Sequence, residues 1–433
     1  VVMADAEKDE LAKKEEAKRA AAAQSLCVAN GIFMTAVMMI LPARAPMVLQ
    51  ICNGDAQEAA RTLGFMSSCG AALEVILNPV LGRLSDLYGR KPFLLMAPAV
   101  RAFLHTLAAA FPDSIKVQYV DRIITAAMVF TFQAPVNAAL ADIYTGPDYA
   151  VAMSRNQTFF GAGCALGPFI GSRLGGAKAF FGSAAMFVAS MVYLIAKYPE
   201  TLTDEHRKPF EFAACNPLRF VKLFTHGPRI GAMAGTIALQ SFGDYPNIYD
   251  FNFLYLKSVF NYGQQQVGQF ATAVGVSQIL GGEATGAVIK RVGQTNATMI
   301  GNLSWVFALG ALGTSRTVPQ LAAALVAMTF GHLRATPVAA FLQKDGQETG
   351  MGRAEIISAQ MNLTALIKVI APILYGNVFA WATSKGRKSP GAPYYLICIL
   401  TILAQLLFSS EEDGSGGRSQ RRISVARIWA QSG

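Results

Sequence analysis

An ionisable side chain at the middle of a bilayer costs at least about 2.5 kcal/mol on insertion scales, so each one kept there is a candidate for binding or for carrying charge. In this chain Glu74, Arg101, His105, Arg122, Asp244, Asp250, Glu283, His332, Arg334 and Lys368 all fall within long apolar stretches. Helical spacing sorts them. Gln240, Asp244 and Asn247 stand at i, i+4 and i+7, one polar stripe on a helix; Gln360, Thr364 and Lys368 make a second, and Gln133 with Asn137 a shorter third. Such stripes suit contacts with a polar solute, and Arg334, His332 and Lys368 together suit an anionic one. The competing reading of each stripe is interhelical hydrogen bonding, worth about 0.6 kcal/mol a pair. If a proton is carried as well, Asp244, Glu74 or Glu283 must take it up.

The elements that position these groups follow from composition. Hydrophobic residues are 53% of the chain and charged residues 15%, and mean hydropathy is +0.36; soluble domains carry about a quarter charged residues. A helix crossing hydrocarbon needs about 20 apolar residues, because every backbone amide must be bonded internally. That rule predicts twelve spans, at about 26–49, 62–82, 92–111, 117–141, 154–174 and 178–197, then 230–256, 264–288, 295–314, 318–342, 355–382 and 392–409. The expected class is an all-α, multi-pass membrane protein. Its expected parts are an N-terminal segment 1–25, a six-helix bundle 26–197, a polar linker 198–229, a second bundle 230–409 and a tail 410–433. Lys and Arg concentrate in the segments that share a side with both termini, which predicts both termini in the cytoplasm.

The halves are related. Gly82 to Gly89 aligns with Gly286 to Gly293, 204 residues on, and Gly167-Pro168 with Ala371-Pro372 at the same offset. Internal repeats in a very apolar chain are a mark of secondary transporters. Other classes find little support. The net charge of +10 is scattered over short loops and tails and forms no single basic face, against nucleic-acid binding. The six cysteines and four histidines have no metal-ligand spacing, so no metal or other cofactor is expected, and no zinc-protease or nucleophile-elbow motif points to an enzyme.

Gly82-Arg83-Leu84-Ser85-Asp86-Leu87-Tyr88-Gly89-Arg90-Lys91 resembles the loop signature between helices 2 and 3 of the major facilitator superfamily. Arg122 is placed like the family's arginine of span 4, with Ala126 where a glycine is usual. Gly163, Gly167, Pro168 and Gly171 in span 5 look like the antiporter signature, with Ser172 in place of its last glycine. Pro199-Glu200-Thr201 is the common exit motif of span 6. Span 11 and the opening of span 12 look most like the tetracycline-efflux branch and its eukaryotic relatives.

The resemblance implies two pseudo-symmetric six-helix bundles and alternating access. It also implies an inner gate, built on Gly82, Arg83, Gly89, Arg90 and Lys91, in which Asp86 accepts hydrogen bonds from a facing helix N-terminus and Asp142 and Arg155 complete a charge cluster around it. Lys290 stands at the repeat position of Asp86, so asymmetric gating is expected. Gly163, Gly167 and Gly171 recur every four residues, which suits close helix packing or an antiport role. Tetracycline-efflux relatives carry carboxylates in spans 1 and 3, where this chain has Asn30 and Arg101. The expected function is transport of a small organic solute, with the proton a candidate co-substrate and lipid the surroundings. The chain is expected to act as a monomer unless it belongs to a larger membrane complex. A transport-inactive scaffold of the same fold is the alternative.

Overall fold

The computed structural model describes residues 2–144, 146–202, 207, 216–384 and 389–410, and every regular element among them is helical. The middle of the expected linker, 203–206 and 208–215, and the tail beyond 410 lie outside the described residues.

Nine described helices are long and apolar enough to cross a membrane: Ala17–Ile51 (span 1), Ala56–Tyr88 (span 2), Arg90–Ala110 (span 3), Ile115–Ile143 (span 4), Gly176–Lys197 (span 6), Gln264–Thr314, Val318–Glu348 (span 10), Glu355–Ala382 (span 11) and Ala392–Ser410 (span 12). Gly293, at φ 81° and ψ 166°, divides Gln264–Thr314 into spans 8 and 9. Gly146–Leu174 is span 5, and Pro228–Phe242 followed by Tyr245–Phe260 is span 7, which completes the twelve.

Three elements differ from the expectation. Residues 82–88, expected in a loop, are the last turns of span 2, and Gly89 alone separates it from span 3; a helix does not stop where its hydropathy does. The N-terminal segment is continuous with span 1, in a helix Val2–Met39. Span 7 is broken after Phe242. A Cβ at Gly243 would lie 2.6 Å from the Trp305 indole nitrogen, Pro246 brings no amide to the next turn, and Asn247 Nδ2 donates to the Ser241 carbonyl (2.7 Å) beside the break. Gln240, Asp244 and Asn247 are therefore not one continuous helical stripe.

By contacts the chain forms two compact units. The first holds Val1–Pro217, Tyr249–Ile279 and Pro372–Pro390; the second holds Leu218–Ile248, Leu280–Ala371 and Gly391–Gly433. Within the first, small residues let backbones meet, as they must where lipid supplies no hydrophobic drive between helices. A Cβ on Gly163 would fall 2.8 Å from the Gly31 carbonyl, one on Gly167 2.6 Å from that of Thr35, and one on Gly171 against that of Met39. The span-5 glycines are thus the seam with span 1. The adjacent face of span 5 meets span 8, where a Cβ on Gly275 would be 3.0 Å from the Cys164 carbonyl. Span 2 meets span 11 in the same way: Gly64 would clash with the Pro372 carbonyl and Gly376 with that of Ala60, each at 2.5 Å. Phe33 and Phe132 stack at 3.9 Å in the core. The second unit packs Leu223, Met233, Val338, Leu342, Ile356 and Phe408 together.

Candidate functional site: charged clusters within the spans

Four polar constellations occupy the apolar bundle, three of them in the first unit. The most buried joins spans 1, 3, 4 and 6. Arg44 Nη2 lies 2.6 Å from Asp121 Oδ2, with side chains 2% and 1% exposed. His105 Nε2 stands 3.6 Å from Asp121 Oδ1, and His105 Nδ1 is 2.9 Å from Ser183 Oγ. Arg101 donates to the Thr125 carbonyl and lies over the Phe33 and Phe187 rings. Arg44 and Asp121 are absent from the candidates named above, although both sit inside expected spans and the cost of burying a charge is enough to mark them.

The second constellation is a chain of amides. Gln133 Nε2 donates to Asn30 Oδ1 (2.6 Å) and Asn30 Nδ2 to Asn156 Oδ1 (2.8 Å); Asn156 Nδ2 reaches Asn137 Oδ1 at 3.5 Å. The Gln133–Asn137 stripe of span 4 thus faces spans 1 and 5. The third links Arg122 to span 7: its Nη2 is 3.1 Å from Asp250 Oδ2 and 2.9 Å from Ser67 Oγ, which itself donates to Asp250. Behind it, Gly70 stands against Ala126, where a Cβ would be 2.7 Å from the alanine methyl. The close crossing expected from a glycine in span 4 is supplied by one in span 2.

Where spans 2 and 3 meet, the chain turns through Gly89 at φ 102°, a conformation that side chains other than glycine rarely take. Arg90 binds Asp86 through Nη1 and Asp142 through Nε at 3.4 Å. Arg155 does not join them: it is exposed on span 5, because its neighbour Asn156 faces inward. Asp86 receives a guanidinium instead of a helix terminus. The carboxylate at a helix N-terminus is Glu200, which accepts from the Arg90 and Lys91 amides at 3.1 and 2.9 Å, as the helix dipole favours. Lys91 Nζ donates to the Tyr198 carbonyl (2.7 Å). Burial lifts the Tyr198 phenol above its ordinary range, so it stays neutral beside Thr201. The signature after span 2 and the motif after span 6 are one device, which no spacing argument disclosed. Gly82 and Arg83 lie within the final turns of span 2, and nothing crowds Gly82.

The fourth constellation is in the second unit. Arg334, 3% exposed, sits where span 10 narrows to a 3-10 turn, His332–Arg334. Its Nη2 donates to Asp244 Oδ1 (2.7 Å), and its guanidinium lies 4.0 Å from the centre of the buried Trp305 ring. Gln240 donates to the Arg334 carbonyl and to Asn302, and Asn302 donates to Gln405. The Asp244 side chain is 41% exposed at the break of span 7, and the charge of Lys368 also acts on it. His332 packs edge-on against Trp305. Gln360 and Thr364 are half-buried along span 11, joined only by the Thr364 hydroxyl to the Gln360 carbonyl. Glu283 is exposed, and Glu74 is half-buried on span 2. Among the described residues no three of His, Cys, Asp and Glu come together to hold a metal ion.

A chain of twelve apolar helices with glycine-packed crossings and charged clusters inside them is a membrane-transport fold, and the Major Facilitator Superfamily model matches residues 26–354. The chain belongs to the Major Facilitator Superfamily and is a multi-pass integral membrane protein; the family is one of transporters, which bind small-molecule solutes and protons, not of enzymes. Among its relatives, the class H tetracycline resistance protein of Pasteurella multocida is 24% identical, over 74% of this chain and 80% of its own length. The hippocampus abundant transcript-like protein 1 of Bos taurus is 23% identical, over 93% of this chain and 82% of its own. Among solved structures, the human organic anion transporter MFSD10 (TETRAN) matches at a TM-score of 0.65 and 18% identity, covering 90% of this chain and 99% of that one. The nucleoside transporter NupG matches at 0.71 and 13%, covering 90% and 98%. At such identities these structures speak for the fold alone.

Proposed function

We propose that this chain is a secondary-active transporter that moves a small organic solute by alternating access, with proton antiport as its mode of coupling. The observation that carries the reading is the Asp244–Arg334 pair. Broken helices at mid-membrane are where such transporters hold solutes, and here a break in span 7 exposes one carboxylate while the guanidinium behind it stays buried on Trp305. A solute with a charged or strongly polar group can compete for either partner, and Lys368 and Gln360 extend the polar face.

The repeat supports two pseudo-symmetric bundles, 26–197 and 230–409. Gly89 and Gly293 both turn at positive φ at the same 204-residue offset, and Pro168 and Pro372 both lie inside helices. The glycine contacts of 249–279 and 372–390 with the first six spans are the surfaces that separate during the cycle. The Asp86–Arg90–Asp142 cluster at the Gly89 elbow is the gate, with Arg83 one turn before it and both termini in the cytoplasm. A transport-inactive scaffold is the competing reading, and the exposed Lys290 beside the second elbow is the observation on its side.

The test is uptake into proteoliposomes by the purified chain, with and without a pH gradient, of radiolabelled tetracycline, a nucleoside and a panel of organic anions. Saturable uptake that Asp244→Asn abolishes with the protein still folded supports the reading. Absence of uptake throughout, with stable copurification in a larger complex, supports the scaffold.

A further inference from the structure

The tautomer of His105 is fixed by its neighbours. Ser183 Oγ lies 2.6 Å from the Ala36 carbonyl, which can only accept, so the single hydroxyl proton of Ser183 points there. Ser183 Oγ must then accept from His105, and Nδ1, 2.9 Å away, carries the proton. A neutral ring therefore turns its bare Nε2 lone pair toward Asp121 Oδ1, itself an acceptor, at 3.6 Å. Both atoms are buried, and neither has another hydrogen-bond partner. Two facing acceptors are each left unsatisfied in a medium where that costs most. One proton between them satisfies both at once.

We propose that His105 and Asp121 are the seat of the coupling proton: loaded, it sits on His105 Nε2 and is hydrogen-bonded to Asp121 Oδ1; unloaded, the two groups part. The proposal rests on the transporter reading for its purpose, not for its geometry.

Arg44, from span 1, holds the other Asp121 oxygen at 2.6 Å. Arg101, on the helix of His105, and Arg44 oppose a further positive charge on the ring, and the Asp121 carboxylate favours it; Arg122, Glu74 and Asp250 act on those two arginines from further out. Span 6 offers Ser183 and the Phe180 and Phe187 rings, which pack edge-on to the imidazole and bring no charge. The proton moves without any bond breaking other than N–H or O–H, and its exchange partner is water. Span 1 needs no carboxylate for this, since span 4 supplies one.

The test is nitrogen NMR of the full chain in nanodiscs with 15N-labelled histidine, the His105 signals being assigned as those lost in His105→Gln. The expected result is both ring nitrogens protonated at the acid end of the range in which the protein stays folded, and Nε2 bare at about pH 9. In Asp121→Asn, whose amide can donate to Nε2, the ring stays neutral at both. Ser183→Ala is a second probe, because removing the acceptor on Nδ1 moves the neutral ring's proton to Nε2. A His105 that keeps a bare Nε2 at every pH where the protein is folded overturns the proposal, as does a titration that Asp121→Asn leaves in place. Uptake assays on the same preparations read the wider claim separately. A titrating His105 without solute transport leaves the site standing and sinks the transporter reading; pH-driven uptake with a silent His105 does the reverse.

Discussion

The two halves of the chain make the same bends and wire them differently. Gly89 and Gly293 turn at φ 102° and 81° between successive spans, yet a Cβ on Gly89 would be 2.6 Å from Glu200 while nothing approaches Gly293. Each half also ties its first helix to its fourth by an ion pair of opposite polarity: Arg44 to Asp121 in one, Asp244 to Arg334 in the other. The first pair is sealed, at 2% and 1% exposure; the second leaves its carboxylate 41% exposed. Sequence repetition has kept the bends. Burial has assigned one pair to a closed interior and the other to a surface where a solute can compete.

This contrast is broken most severely at the sealed pair. Arg44→Ala strands the Asp121 carboxylate, and removing one partner of a buried pair costs about 3–5 kcal/mol; thermal unfolding in detergent should show loss of the fold. Arg334→Ala should cost less stability, since Asp244 can turn to water, yet it should abolish uptake. Equal stability losses in the two variants would erase the distinction drawn here.

The seam of spans 1 and 5 comes next. Gly171→Leu forces a side chain into the Met39 backbone, an overpacking expected to cost about 1–3 kcal/mol or more. Gly286→Leu, where a Cβ meets nothing within 4 Å, should leave the melting temperature nearly unchanged. Arg334→Lys keeps the charge but loses the planar stack on Trp305; a weakening of solute affinity with little change in stability is the expected result. The smallest effect is at the first elbow. Glu200→Gln removes a charge from the start of span 3, worth about 0.3–1 kcal/mol, and a small drop in melting temperature relative to wild type that narrows as salt is added would confirm the wiring.

What could be read beforehand divides along the same line. Spans, the repeat and the family are written in apolar run length and in a few motifs, because bilayer thickness and helix geometry leave few choices. Helix ends are harder: residues 82–88 are polar and helical, and span 7 breaks at Gly243, where Trp305, 62 residues away in the chain, leaves no room for a side chain. Gln133 and Asn137 were placed by their period, but their partners Asn30 and Asn156 belong to other spans. Arg44 and Asp121 needed only the rule about buried charge applied without omission. Arg155 was placed by resemblance, and it faces outward because the helix phase is set by Asn156.

The most direct measurement is a cross-link across one of the glycine-packed seams. Gln57 Nε2 donates to the Thr383 carbonyl at 3.1 Å, so Gln57→Cys with Thr383→Cys, in a background without other cysteines, can be joined by a short thiol reagent. For whichever solute is carried, alternating access predicts that uptake into proteoliposomes stops when the two are joined by a cleavable reagent and returns when the link is cut. Uptake at the uncross-linked rate in fully joined protein would contradict it.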